Sequence, residues 1–207
     1  MNVSFNVIEV GGYAAAIEGM RFPTKSIGDS VRVVPATLTD ASIILGKKDT
    51  TLASHLISKG SVHGKFQRGI TAWFNINMPR SIWSELDTYS VGVDMISSES
   101  TMYTLKKECK EITKDMFVDY TPDVIIRCFK RTVNNLSKQY GSIKDIPKHI
   151  LKSILPEGFL QARNRGFSYQ TLRSIYTYRF DHELLEWQII CEAIKQLPYF
   201  EELILGI

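Results

Sequence analysis

Two stretches of the chain carry more polar and aromatic chemistry than packing alone requires. In residues 161–179, QARNRGFSYQTLRSIYTYR, the arginines Arg163, Arg165, Arg173 and Arg179 stand among Phe167, Tyr169, Tyr176 and Tyr178. A guanidinium offers a planar fork of donors to phosphate and stacks on aromatic faces, so this mixture suits a phosphorylated base or a flavin. It also suits a core. Read as a helix over 167–179, the segment puts Tyr169, Arg173 and Tyr176 on one face, with Leu172, Ile175 and Arg179 near another. The second stretch, 83–103, reads WSELDTYSVGVDMISSESTMY. Glu85, Asp87 and Tyr89 could exchange hydrogen bonds with a base or sugar. Ser98 or Ser97 reads as the N-cap of a helix running through MYTLKKE. The N–H groups exposed near Ser98 and Ser100 would then favour an anion.

Other chemistries lack their residues. His55, His63, His149 and His182 are not spaced as helical ligand pairs and none adjoins a cysteine, so no zinc site is expected. There is no GxSxG elbow, P-loop or GxGxxG, and no catalytic residue is assigned. Cys109, Cys128 and Cys191 form no CxxC pair, which points to a reducing compartment. Cys128 and Cys191 sit in apolar helical patterns and are expected to be buried. A formal charge of +3 is too small for a dedicated duplex nucleic-acid binder but compatible with anionic small molecules. The start, MNVSFNVIEV, lacks the basic flank and apolar run expected of a signal peptide, and no apolar run reaches membrane-span length. A soluble, cytoplasmic protein is expected.

The elements that must position these groups follow from periodicity. Alternation in residues 3–7 indicates a strand closed by Gly11-Gly12, followed by a short helix at 13–20. A brief strand is expected at 31–35 and helices at 39–47 and 51–59, the latter ended by Gly60. The clearest strand is 69–78: Ile70, Ala72, Phe74, Ile76 and Met78 share one face, and Thr71, Trp73, Asn75 and Asn77 the other. Pro79 suits the first turn of a helix through SIWSEL. Thr121-Pro122-Asp123 opens a helix with the stripe Val124, Ile125, Cys128, Phe129, Val133 and Leu136, ended by Gly141. Helices at 147–154, 167–179 and 182–197 complete the chain. The expectation is one α+β domain over 1–207, strand-rich early, with its sheet packed against C-terminal helices.

Order and spacing resemble the flavin-dependent thymidylate synthases. HGKFQRGITAWFNINMPRSIW, residues 63–83, resembles the family's His–x–x–Phe entry into a strand that ends in proline. Ser100 and Tyr103 stand where the family has a serine and a tyrosine. Leu155-Pro156, then SYQTL at 168–172, resembles the family's Leu-Pro and Asn-x-Arg-Ser-Leu at the same gap. Arg179 matches the arginine closing that helix, and DHELLEWQIICEAI resembles the helix after it. The similarity covers about residues 63–197. It implies a thymidylate-synthase-complementing fold, a homotetramer with intersubunit clefts, FAD as cofactor and dUMP as substrate.

The departures fall on charged positions. Glu85, Asp87, Thr88 and Tyr89 replace the Arg-His-Arg cluster that helps hold the flavin, Met102 replaces a substrate-binding arginine, and Gln170 and Ser168 replace a second arginine and its asparagine. Each lost arginine removes a charge-assisted phosphate contact of roughly 1.5–3 kcal/mol, and two together weaken a nucleotide by about two to four decades. Arg80, Arg163 or Arg165 would have to substitute in a rebuilt pocket. The expectation is a nucleotide-like or other small-molecule binder with altered or lost synthase chemistry. An active synthase and a structural or partner-binding protein, of the kind phages encode, are the alternatives.

Overall fold

A computed structural model describes residues 2–89, 91–108 and 111–207. In chain order its elements are β1 (Ser4–Gly11), α1 (Tyr13–Arg21), β2 (Val31–Arg32), β3 (Ile43–Ile44), α2 (Lys47–Ser58), β4 (Thr71–Pro79) and α3 (Arg80–Leu86). Then follow β5 (Val93–Ser98), the single turn α4 (Thr101–Tyr103), α5 (Asp123–Tyr140), α6 (Lys148–Ser153), β6 (Leu160–Ser168), α7 (Tyr169–Arg179) and α8 (Leu185–Lys195). The main sheet has the order β1-β4-β6-β5. A two-residue antiparallel ribbon pairs Val31 with Ile44 and Arg32 with Ile43.

The fold is α+β, and β4 is an interior strand as its alternation predicts. Ala72, Phe74, Ile76 and Met78 are buried, while Trp73 and Asn77 are half-buried and Asn75 exposed. The strand-rich early, helix-rich late division holds with one exception: β1 to β5 end by residue 98 and α5 to α8 begin at residue 123, but β6 joins the main sheet from the later half. Residues 160–168 are a strand and the helix starts only at Tyr169. β6 is paired on both edges, so its backbone is satisfied there even though Arg163, Asn164, Arg165 and Gly166 give it no apolar alternation. The helix expected at 39–47 is absent. Thr37 and Asp40 close a turn through Thr37 N–H to Asp40 Oδ2 at 2.8 Å, and Ile43 enters the small ribbon.

The chain forms two compact units. One comprises Met1–Ser4, Ile76–Thr88 and Ser97–Arg163; the other comprises Phe5–Asn75, Tyr89–Ile96 and Asn164–Ile207. In the first, Ile126, Phe129 and Val133 of α5 are buried with Phe117, Ile146, Leu151 and Phe159, and three phenylalanines meet edge-on, Phe117 to Phe159 at 5.5 Å. The expected stripe on α5 is therefore rotated. Val124 and Ile125 are exposed, and Cys128, expected to be buried, is exposed with them. Cys191 is buried as expected, and burial pushes its thiol up to about 11. Cys109 lies outside the described residues.

In the second unit Phe5, Phe74 and Phe167 form a ring cluster, with Phe5 and Phe74 centroids 4.4 Å apart and Phe74 and Phe167 5.9 Å apart. Gly12 starts α1 with φ +92°, and a Cβ there would lie 1.8 Å from the Gly69 carbonyl oxygen. Only glycine allows both the left-handed backbone and that approach. The start of α2 is capped from a distance. Asp29 accepts from the N–H groups of Lys48 and Asp49 at 2.9 and 3.1 Å. Asp49 in turn accepts from both Nε and Nη2 of Arg21, and from the N–H groups of Asp29 and Ser30 at 3.2 and 2.9 Å.

Candidate functional site

In the first unit the candidates gather around one arginine. Trp83 of α3 is buried and donates its indole N–H to the Gln161 carbonyl at 2.9 Å. That bond lays the ring beside β6, and the Arg163 guanidinium stacks 4.2 Å above it. Arg163 Nη1 reaches both Asp87 oxygens at 3.3 and 3.2 Å, and Nε and Nη2 donate to Gln161 Oε1 at 3.3 and 3.1 Å. Gln161 and Arg163 are two apart on a strand and so share a face. The cation is thus stacked, paired and hydrogen-bonded at once. Arg80 sits apart from it, 3.7 Å from Glu157. Glu85 is half-buried on α3, its carbonyl accepting from the Thr88 hydroxyl at 2.7 Å.

Ser98 and Ser100 do not open a long helix. Ser98 ends β5, and Ser100 caps α4, accepting from the Tyr103 N–H at 3.3 Å. After that one turn the backbone passes into a π turn at Thr104–Glu108. So short an α-helical turn has little dipole to offer an anion. Glu99, between the two serines, ties to β6: it accepts from the Ala162 N–H at 3.1 Å and its own N–H donates to the Ala162 carbonyl at 2.8 Å. Met102, where the resemblance asks for a substrate-binding arginine, is buried in the apolar cluster with Leu105 and Phe117.

In the second unit Arg179, at the end of α7, lies 4.5 Å over the Trp187 ring and 5.8 Å from that of Tyr89. Its Nε donates to the Tyr89 hydroxyl at 3.1 Å. Arg165 is buried on β6, 5.6 Å from the Phe167 ring. Ser168 is the N-cap of α7, accepting from the Thr171 N–H at 3.2 Å. Gln170, in the first turn, accepts from Arg68 Nε at 2.6 Å and donates to the Ser61 carbonyl at 2.9 Å.

Arg68 is the residue that sequence reasoning passed over. It lies 102 positions from Gln170, at the end of the 3₁₀ turn Gly64–Gly69 that had been read as the approach to β4. The available signal was a basic side chain flanking the strand whose far neighbour starts α7. The cavities of this unit were equally invisible to local patterning. One of them, about 580 Å³, lies between α1 and α2 and reaches His63, Lys65 and Phe66. Among the described residues no group of histidines, cysteines and carboxylates is arranged to hold a metal, and no helix is long and apolar enough to cross a membrane.

No protein-family model and no curated protein sequence matches the chain. Solved structures do. A crystal structure of thymidylate synthase X (ThyX) from Helicobacter pylori with FAD and dUMP aligns with a TM-score of 0.69 at 16% identity, covering 98% of this chain and 96% of that one. A second, of the flavin-dependent thymidylate synthase ThyX from Helicobacter pylori complexed with FAD and dUMP, aligns at 17% identity with the same TM-score and covers 97% of both chains. The likeness is one of fold over the full length, and it bears out the resemblance at that level.

Proposed function

We propose that this ThyX-like chain binds a nucleotide-like or other small molecule and has altered or lost thymidylate synthase chemistry. The observation that carries this reading is the engagement of Arg163. A flavin dinucleotide brings two phosphate charges and needs unpaired cations to meet them. Here Asp87 stands within the segment where the resemblance asks for a flavin-holding Arg-His-Arg cluster, and it already consumes Arg163. Met102, in the apolar core, cannot replace a phosphate-binding guanidinium. The residues present do not fit FAD. Arg179 is the guanidinium to test for anion binding, since Tyr89 and Trp187 hold its plane.

The purified protein is expected to be colourless, and to give no methylation of dUMP with added FAD, reductant and a methylene donor. A flavin spectrum that co-purifies, or robust flavin-dependent turnover, would overturn the reading. Arg179→Ala is expected to weaken binding of a nucleoside monophosphate about tenfold or more in calorimetry with little change in melting temperature. Unchanged binding would make Arg179 architectural.

Self-association is the second reading. Phe22, Ile27, Val34 and Leu38 expose at least two thirds of their surface within one short segment, a density that monomers rarely leave open. Sedimentation at micromolar concentration is expected to give a multiple of 23.6 kDa. A single species of that mass counts against it.

A further inference from the structure

The cavity between α1 and α2 shares no residue with the candidate ligand set. Its volume of about 580 Å³ lies in the roughly 300–1,000 Å³ range of small-molecule sites. The α1 wall is made of Ala15, Ala16, Gly19 and Met20, and α2 contributes Leu52 and Leu56. A Cβ built on Gly19 meets nothing within 4 Å, so the space beside it is not filled by a neighbour. Phe66 is buried at one end, next to the exposed side chains of His63 and Lys65. No carboxylate is among the described residues that line the cavity.

This distribution selects a ligand. Apolar walls on two helices gain from any flat or chain-like hydrocarbon body, at roughly 25 cal/mol per Å² removed from water. A single cation at the mouth favours one negative charge, and the absence of lining acids removes any penalty for it. A dinucleotide would have to desolvate two phosphates against leucine and alanine. We propose that the groove binds a single-anion amphiphile, its apolar or aromatic body between α1 and α2 and one carboxylate, sulfonate or monoester head at Lys65 and His63.

The site is independent of the nucleotide reading, and its test uses different probes on the full chain. Anilinonaphthalene sulfonate has an apolar aromatic body and one charge; N-phenyl-1-naphthylamine has the same body and none. Both are expected to bind saturably at one site per chain, with decanoate competing. Gly19→Leu fills the groove from an exposed helical position and improves helix propensity. It is expected to weaken both probes about tenfold or more with no loss of melting temperature. Ala15→Leu, also at an exposed position, provides a second filling variant should the first fail to fold. Lys65→Ala is expected to weaken the sulfonate about fivefold, the scale of one exposed charge contact, and leave the uncharged probe unchanged.

Probe binding that survives both filling substitutions overturns the proposal. So does an equal response of the two probes to Lys65→Ala. A signal that falls as protein concentration rises would assign the groove to a second copy of the chain and overturn it equally.

Discussion

Asp49→Ala is expected to lower the unfolding free energy by about 3–5 kcal/mol. The carboxylate is 2% exposed and its partner Arg21 20% exposed, and it accepts from two guanidinium nitrogens and two backbone N–H groups. Alanine leaves the partly buried guanidinium without its carboxylate partner and strands the N–H groups of Asp29 and Ser30, each a desolvation cost. Asp49→Asn keeps the volume but loses the charge, and should recover only part of the loss. Urea denaturation at neutral pH measures both.

The same group sets an acid limit. Burial pushes the Asp49 carboxyl up, but the Arg21 guanidinium and the Ser30 and Asp29 donors outweigh it and hold the pKa at about 2, below the usual 3.8. The folded state thus binds this proton less readily than the unfolded chain. The stabilisation is complete above about pH 4, amounts to roughly 2 kcal/mol, and is lost as pH falls from there through about 2. Wild type should show this decline and Asp49→Asn should lack it. Parallel profiles would mean that other carboxyls govern acid unfolding.

Phe74→Ala should cost a similar 3–5 kcal/mol by a different route. The ring is fully buried on β4, between Phe5 of β1 and Phe167 of β6. Deleting it leaves a void that three paired strands cannot collapse to fill, and breaks two aromatic contacts. Phe74→Leu retains most of the volume and should cost about 1.5 kcal/mol or less. Equal losses for the two substitutions would place the energy in the ring contacts rather than in the cavity.

The contrast between β4 and β6 explains what could be read in advance. Strand β4 alternates because one face meets the core and the other carries Trp73 and Asn75. Helices α7 and α8 showed themselves through apolar spacing and through Pro198 beyond the last. Strand β6 hides the same geometry under arginine and asparagine, which break its apolar period, while its backbone pairs on both edges. Residues 94–98 of strand β5 are exposed, so they have no apolar period to detect. The arginines of 163–179 were visible as a group, but their partners were not. Asp87 lies 76 positions from Arg163, and Tyr89 lies 90 from Arg179. Distances of that kind are set by topology, which local periodicity does not encode.

The strand order has a consequence for synthesis. In β1-β4-β6-β5 the strand that joins β4 to β5 is the last to be made. While residues 99–159 emerge from a ribosome, at roughly 5–20 residues per second, β4 has one open edge and β5 has no partner strand at all. Backbone N–H and C=O groups on both then face other nascent chains for several seconds, the condition under which strands pair wrongly. Slow translation through 99–159 should lengthen that interval, and a fragment released before residue 160 would remain in it until degraded or aggregated.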